Sequence, residues 1–516
     1  MTPNRSFADK SIKNSIYNVI GFIWPIGLSL AFTPYIIHTL GKEAYGILAI
    51  VSMVTGYFAF LNLGLGGAGL KYVAEYYAKQ EYDTVNSVIN ILVIIYGILG
   101  ILGLVSILVL TNLLATKVFK IPMDMINVTK FALSISAFGF LVTFIKSIFA
   151  SIPKALHRFD IQNIISIIFG SASTLLVVLI LYLGYGLKEV VVLRFVIGLS
   201  ILLAFIMIVK KLLPFYRVEI ILDKKLIKKL FSFGIFAFVT QISNISISQI
   251  PKLFIGILLG PATLTYFVVS QLITERINGF LFKLSEILFP IASELSSTNQ
   301  HKRLSYIYLK MFRITLTIKL SFFIPLILFS YEILYYWMGK DFAEKGWIVM
   351  AFLCAGYFLI SIGQIPGLIN LGYGKPKNNA VYTFSITIIM LLTMYPLIKE
   401  LNITGAAVSF CLSTLPVIIF VLFVNNKVIK ISNIIFLQKA CKKPIQAGLV
   451  QVVIISCIIK LELISNLGTL LLFLVISVIS YFMFALIFGS FEKDERDHLF
   501  NLLKTILHRK NTFNNI

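Results

Sequence analysis

Charge is what this chain has least of. Only 13% of its 516 residues are Asp, Glu, Lys or Arg, while 58% are hydrophobic and the mean hydropathy is +0.93. Soluble domains carry about 25% charged residues, so most of this chain cannot be solvated by water and must lie in lipid. That excludes a soluble enzyme and a disordered regulator. Acids are scarcer than bases, with 22 Asp+Glu against 45 Lys+Arg and a net charge of +23. Such an excess suggests nucleic acid in a soluble protein; in a membrane protein it marks cytoplasmic loops, and no nucleic-acid partner is expected. The four cysteines (Cys354, Cys411, Cys441, Cys457) stand at no metal-ligand spacing and read as reduced core thiols, which excludes a disulfide scaffold and a thiolate metal site.

Catalytic signatures are missing as well. The five histidines (His38, His157, His301, His498, His508) are scattered, with no H-E-x-x-H and no paired intramembrane carboxylates. No Walker A sequence occurs, so neither ATP hydrolysis nor a bound cofactor is expected. Gly64-Leu65-Gly66-Gly67-Ala68-Gly69 matches G-x-G-x-x-G, but a dinucleotide site needs a strand before it and a βαβ unit around it. Between apolar runs these glycines favour close helix packing instead. The reading is of a non-enzyme.

What the chain does have is apolar runs. A polar start over 1–14 with Arg5, Lys10 and Lys13 precedes a run too long and too unbroken for a signal-peptide core, so it reads as a first transmembrane helix over 15–40. Runs of spanning length predict an all-α integral membrane protein of about fourteen helices. The second span is expected over 47–65, the seventh over 231–250, and the eleventh and twelfth over 380–397 and 404–423. The domain reading is a cytoplasmic N-terminus (1–14), an N-lobe of helices 1–6 (15–209), a basic cytoplasmic linker (210–230), a C-lobe of helices 7–12 (231–423), helices 13–14 with their preceding basic loop (424–488) and a cytoplasmic tail (489–516). Lys and Arg favour the segments that this map places inside by about three to one, which predicts both termini in the cytoplasm. Over 497–510, Leu499, Leu503 and Ile506 share one face of an interfacial helix.

A weak repeat supports two six-helix halves. Pro34, Leu40-Gly41, Tyr45 and Ala74-Glu75 recur as Pro251, Leu259-Gly260, Tyr266 and Ala292 with Glu294. Parallel repeats about a central site are a transporter architecture.

The informative residues are charges inside the spans: Lys146, Arg194, Lys252, Glu275, Arg276, Lys283, Glu286 and Lys319, with Lys71 at the inner end of helix 2. A charge at a helix centre costs about 2.5–3.5 kcal/mol on insertion scales, so it faces a cavity or a partner. The bland alternative for Lys146, Arg194 and Lys252 is snorkelling to headgroups. Bases outnumber acids, which favours an anion such as a diphosphate over a cation. On this reading Lys71, Arg276 and Lys319 contact the diphosphate, Lys252 and Arg194 shape the field, and Glu275 is a candidate for ion coupling. Pro25, Pro34 and Pro251 are candidate bending points, or static kinks. Gln241, Asn244, Ser248, Gln364 and Asn370 suit sugar hydroxyls or interhelical hydrogen bonds equally well.

Several strings resemble one family. Leu40-Gly41-Lys42-Glu43-Ala44-Tyr45-Gly46 is similar to the L-G-x-x-x-Y-G loop after the first helix of bacterial polysaccharide repeat-unit flippases, the O-antigen type. Leu61 to Leu65 followed by Lys71-Tyr72-Val73-Ala74-Glu75 resembles their helix 2, Arg158-Phe159-Asp160 with Asn163 their helix 4–5 loop, and Phe254 to Gly256 through Leu259-Gly260 and Tyr266 their helix 7–8 turn. The resemblance implies the multidrug, oligosaccharidyl-lipid and polysaccharide exporter superfamily. It further implies a flippase that moves a polyprenyl-diphosphate-linked oligosaccharide across the bacterial cytoplasmic membrane through a cationic cavity. Implied partners are that lipid-linked substrate, membrane lipids and a polysaccharide polymerase and ligase. Asn62 and Pro251 stand where the family leads one to expect aspartate, which unsettles an ion-coupling role at these two positions. A lipid II flippase, a multidrug cation antiporter and a non-transporting scaffold are the alternatives.

Overall fold

The computed structural model describes residues 24–221, 223–285, 301–492 and 495–496. The start of the first span, Glu286, the repeat partners Ala292 and Glu294, and the tail helix over 497–510 lie outside the described residues. Every regular element among the described residues is helical. In order these are α1 (24–40), α2 (Lys42–Phe58), α3 (Leu65–Ala78), α4 (Tyr82–Leu113), α5 (Ile126–Ala155), α6 (Phe159–Tyr182), α7 (Leu187–Leu212), α8 (Lys224–Leu258) and α9 (Pro261–Ser285). Then follow α10 (His301–Leu328), α11 (Ser330–Met338), α12 (Lys340–Gly372), α13 (Pro376–Ser413), α14 (Pro416–Phe423), α15 (Asn433–Phe436), α16 (Lys442–Lys460) and α17 (Leu467–Ile487).

Ten described helical stretches are long and apolar enough to cross a membrane. One of them, 377–429, doubles back on itself. Asn402 breaks α13 with φ 52° and ψ −135°, and beyond the break Gly405 lies so close to the Leu397 carbonyl that no side chain fits there. The hydroxyls of Thr393 and Ser409 then meet at 2.7 Å. With 35 and 25 residues, α8 and α9 also exceed the roughly 20 residues of a span.

Two helix ends differ from the sequence expectation. The second span breaks early: α2 stops at Phe58, a tight turn covers Ala59–Asn62, and Leu63 and Gly64 are left-handed (φ 51° and 71°) before α3 begins. Asn62 holds this break, because its side-chain oxygen accepts from the Gly66 N–H at 3.3 Å and from the Tyr96 hydroxyl. Lys71 therefore belongs to α3. Further along, Pro251 does not end the seventh helix; α8 runs through it to Leu258, with the proline buried. Neighbouring helices make such an interior proline tolerable.

Packing groups the chain into two compact units, Met1–Val269 with Thr383–Ser409, and Ser270–Tyr382 with Phe410–Ile516. The first is organised on α5. Its residues Ala132, Leu133, Ala137, Phe140, Phe144 and Ile148 recur at helical spacing and are buried, and α5 packs against α4 and α7. The linker after α7 is clamped to this unit by two asparagines one turn apart on α4. Asn86 Oδ1 accepts from the Arg217 N–H (3.0 Å), Asn90 Nδ2 donates to the Arg217 carbonyl (2.8 Å), and Asn90 Oδ1 accepts from the Glu219 N–H (3.2 Å).

Both Leu-Gly turns of the sequence repeat lie in this unit. Gly41 and Gly260 have nearly the same left-handed φ, +85° and +86°, and each precedes a helix. The two turns touch: Thr265 donates to the Lys42 carbonyl at 2.7 Å, the Lys42 ammonium sits 5.3 Å over the Tyr266 ring, and Gly46 lies flat against the Pro261 backbone. A methyl group on Gly46 overlaps the Pro261 carbonyl. Gly46→Ala is therefore expected to lower stability by at least about 1–3 kcal/mol, the usual cost of overpacking, read as a lower unfolding temperature in detergent.

The second unit has its core where Tyr308, Phe312 and Leu316 of α10 meet Ile365, Leu368 and Ile369 of α12 and Val417, Phe420 and Val421 of α14. α16 and α17 pack on α10. Past α17 the chain returns to α10, where Arg313 is held by Glu492 (2.8 Å) and Glu495 (3.0 Å), and Lys310 approaches Glu495 at 3.4 Å.

Candidate functional site

Three helices of the first unit leave a cavity of about 360 Å³ between them. Ser52 and Thr55 on α2, Ser136 and Thr143 on α5, and Arg194 on α7 supply its polar lining. Their spacings of three to seven residues keep each set on one helix face. Gly139 and Gly198 keep the space open; a Cβ built at Gly198 has no neighbour within 4 Å. Among the described residues, no acid lines the cavity.

Arg194 is exposed at this cavity, and among the described residues it makes no hydrogen bond or ion pair. Its electrostatic neighbour is the phenol of Tyr45, the tyrosine of the Leu40 to Gly46 string. A guanidinium offers five donors in a planar fork and no acceptor. Four hydroxyls and an unanswered guanidinium, with no carboxylate beside them, suit an oxyanion that takes two parallel hydrogen bonds.

The other expected residues of this unit lie elsewhere. Lys71 is exposed on α3, 5.0 Å over the Tyr72 ring, and Lys229 from α8 stands 4.7 Å over the same ring while donating to the Tyr76 hydroxyl at 2.8 Å. Hydrogen bonding to Tyr76 pushes the Lys229 ammonium up, and the Lys79 ammonium, 2.8 Å away, holds the Glu75 carboxyl below the usual range. Lys252 is half-buried on α8 next to Pro251, while Pro25 and Pro34 lie within α1. Arg158 pairs with Asp160 at 2.8 Å at the start of α6, which gives that string a turn-forming role.

In the second unit Glu275 and Arg276 are exposed on α9, whereas Lys319 on α10 is only 3% exposed. The Lys319 ammonium donates to the Ser361 carbonyl and, at 3.2 Å, to Gln364 Oε1; Gln364 Nε2 passes the chain on to Asn278 Oδ1, also at 3.2 Å. One turn before Asn278 on α9 is Glu275, which acts electrostatically on Tyr357, and one turn before that is Gln271, whose amide donates to the Tyr357 hydroxyl at 3.0 Å. Gln271, Glu275 and Asn278 thus form one polar face of α9 turned to Tyr357 and Gln364 of α12.

Several polar residues open to two readings are engaged as glue. Gln241 donates to the Ala59 carbonyl at 3.3 Å, Gln364 bridges Lys319 and Asn278, and Asn370 donates to Asn379 at 3.2 Å. Sequence reasoning missed the hydroxyl lining around Arg194. The signal was there: Ser52 and Thr55, then Ser136 and Thr143, are polar pairs at helical spacing inside otherwise apolar runs.

Ten described apolar stretches of spanning length define a multi-pass membrane protein. The family described as "Polysaccharide biosynthesis protein" matches residues 11–296, more than half of the chain, and the chain belongs to it. The resemblance carried by the Leu40 to Gly46 and Leu61 to Glu75 strings is borne out. A "Putative O-antigen transporter" from Shigella flexneri is 20% identical over 77% of this chain and 94% of its own. Among solved structures, an inward-facing multidrug resistance transporter of the MATE family in the MOP superfamily superposes with a TM-score of 0.69 (13% identity, 78% of this chain, 93% of that one). The lipid II flippase MurJ, inward closed, does so with a TM-score of 0.67 (14% identity, 93% and 98%). At these identities the two structures speak for the fold.

Proposed function

We propose that this protein is a flippase that carries a polyprenyl-diphosphate-linked oligosaccharide repeat unit from the inner to the outer leaflet by alternating access. The observation that carries the reading is Arg194, a guanidinium with no hydrogen bond or ion pair among the described residues, at a hydroxyl-lined cavity where those residues place no acid, in a protein of the polysaccharide biosynthesis family. Diphosphate is the anion that lipid-linked sugars present, and Arg binds its oxygens bidentately. Within the first unit, exposed Lys71 and half-buried Lys252 add positive field for this headgroup, and Pro25, Pro34 and Pro251 let their helices bend; in the second unit, exposed Arg276 is a further cation suited to a phosphate. Exposed Glu275 is the carboxylate available for ion coupling. The protein moves its substrate without chemical change and needs no cofactor.

Fourteen crossings are consistent with the helices described. Nine of the ten apolar stretches count once, 377–429 counts twice across the Asn402 break, and α1, α8 and α9 supply three more. The duplicated lobes of the sequence, 15–209 and 231–423, are units of ancestry and differ from the units of packing. An even number of crossings, with the basic segments inside, supports a protein of the bacterial inner membrane with both termini in the cytoplasm, delivering its glycan to a polymerase and a ligase.

A lipid II flippase is the second reading, because the same diphosphate chemistry serves it and MurJ matches 93% of the chain. A cation antiporter is disfavoured, because among the described residues no carboxylate lines the cavity. The deciding experiment is mass spectrometry of polyprenyl-diphosphate glycans, with surface polysaccharide measured in parallel, in cells with and without the protein. Accumulated lipid-linked repeat units together with lost surface polymer support the flippase and name the sugar. Accumulated lipid II supports the second reading, and unchanged glycans overturn both.

A further inference from the structure

The buried polar centre of the second unit does not look like a diphosphate site. Lys319 is 3% exposed, and the groups that receive its ammonium are neutral: the Ser361 main-chain carbonyl and the Gln364 amide oxygen. Among the described residues no carboxylate lies within ion-pair distance of it. These two acceptors take two of the three N–H donors of the ammonium, which leaves at most one for a phosphate oxygen. A main-chain carbonyl and an amide oxygen converging on one point are the ligands that a bare monovalent cation takes from a protein. Here the point is filled by the end of a lysine side chain.

We propose that Lys319 is a tethered coupling cation, which holds its proton in one state of the cycle and releases it in another. The inference rests on the transport reading above, yet assigns Lys319 a different task from the headgroup contact its sequence position suggests. In the released state the N–H bond breaks, the proton passes to water, and the nitrogen keeps the electron pair as a neutral amine; nothing is oxidised or reduced. Loss of the charge weakens the bonds to Ser361 and Gln364, since hydrogen bonds from an ionised donor are about twice as strong as neutral ones. α10 is thereby loosened from α12, and through Gln364 and Asn278 from α9. A proton site on lysine removes the need for the carboxylates that the departures at Asn62 and Pro251 take away.

The groups facing this centre are few. α9 brings Glu275, Arg276 and Lys283, none of which is in hydrogen-bond contact with Lys319; α12 brings Tyr357, one turn before Ser361. On α10 itself Arg313 is taken by Glu492 and Glu495. Between Lys443 and Lys460, α16 carries Cys457 as its one titratable group, and α17 offers Tyr481, whose hydroxyl donates to the Pro444 carbonyl.

Two measurements test the proposal separately from the transport reading. The first is a pH titration of intrinsic fluorescence on the purified full-length protein, using Lys319→Met, which never carries the charge, and Lys319→Arg, which never loses it. Two of the three tryptophans, Trp337 and Trp347, are in the second unit, and Trp347 lies on α12 with Ser361. The wild type should show a one-proton transition that both variants lack. A transition that persists unchanged in both variants overturns the assignment, whatever the substrate proves to be. The second measurement is flux of a short-chain polyprenyl-diphosphate sugar in proteoliposomes with an imposed pH gradient. One proton per cycle shifts the wild-type distribution about tenfold per pH unit, and the two variants should lose that shift. A wild-type distribution indifferent to the gradient overturns the proposal. Absence of any wild-type flux overturns the transport reading instead and leaves the titration to decide on Lys319.

Discussion

Arg194→Ala should reduce transport by roughly a hundredfold while leaving the empty protein as stable as before, or more so. The two readouts move apart for one reason. Without ligand the guanidinium has no hydrogen bond or ion pair among the described residues, so its removal breaks neither and relieves the cost of a charge in a spanning helix, about 2.5–3.5 kcal/mol when it is fully desolvated. With the diphosphate in place the same change deletes two charge-assisted hydrogen bonds, together worth about 3 kcal/mol, and each 1.4 kcal/mol is tenfold. Arg194→Lys keeps the charge but loses the fork, and should retain part of the activity. Gly198→Leu offers a control that leaves the arginine in place: its side chain projects into open cavity, so it should obstruct transport with little change in folding. Accumulated lipid-linked glycan in a deletion strain, against unfolding temperature in detergent, reads both quantities. Full activity in Arg194→Ala would remove this residue from the binding site.

A second large effect belongs to stability. Arg313→Ala should destabilise the protein by about 3–5 kcal/mol, the cost of breaking a buried pair from one side. Arg313 and Glu495 have side chains only 7% and 6% exposed, and the guanidinium bonds both Glu495 oxygens, at 3.0 and 3.2 Å, while Glu492 binds it at 2.8 Å. Truncation leaves the buried Glu495 carboxylate with one cation, Lys310 at 3.4 Å, and the Glu492 main-chain N–H at 2.7 Å. The same bonds set a pH response. Hydrogen bonding to Arg313 holds the Glu492 carboxyl below the usual range, so its folded pKa lies below the unfolded value. Its stabilisation is complete above the unfolded carboxylate pKa and disappears as pH falls through the folded one. Acid should therefore lower the unfolding temperature of the wild type more than that of Arg313→Ala. Equal acid sensitivity in the two proteins would show that this cluster does not govern the response.

Helix content, the membrane and the family could be read from the sequence because each is local. Long apolar runs announce spans, and the Leu40 to Gly46 string sits at a left-handed Gly41 that only a few residue types accept. What escaped was decided by distant partners. The break after Phe58 depends on Asn62 meeting Tyr96, 34 residues away, and the course of α8 through Pro251 depends on neighbours that compensate the lost bond. Arg194 and Lys319 looked alike as basic residues in apolar helices. One opens on a cavity and the other is buried on Ser361 and Gln364, a difference that arises only when helices choose which faces to share. Residue type was legible there; direction was not.

The clamp of Asn86 and Asn90 on the main chain at Arg217 and Glu219 has a practical bearing on exchanging halves between related proteins. By composition, the basic stretch 210–230 invites a junction anywhere along it. A graft cut before Arg217 would inherit the two asparagines from one parent and the segment they grip from the other. The natural seam falls after Glu219, and a recombinant joined there carries its fastening with it.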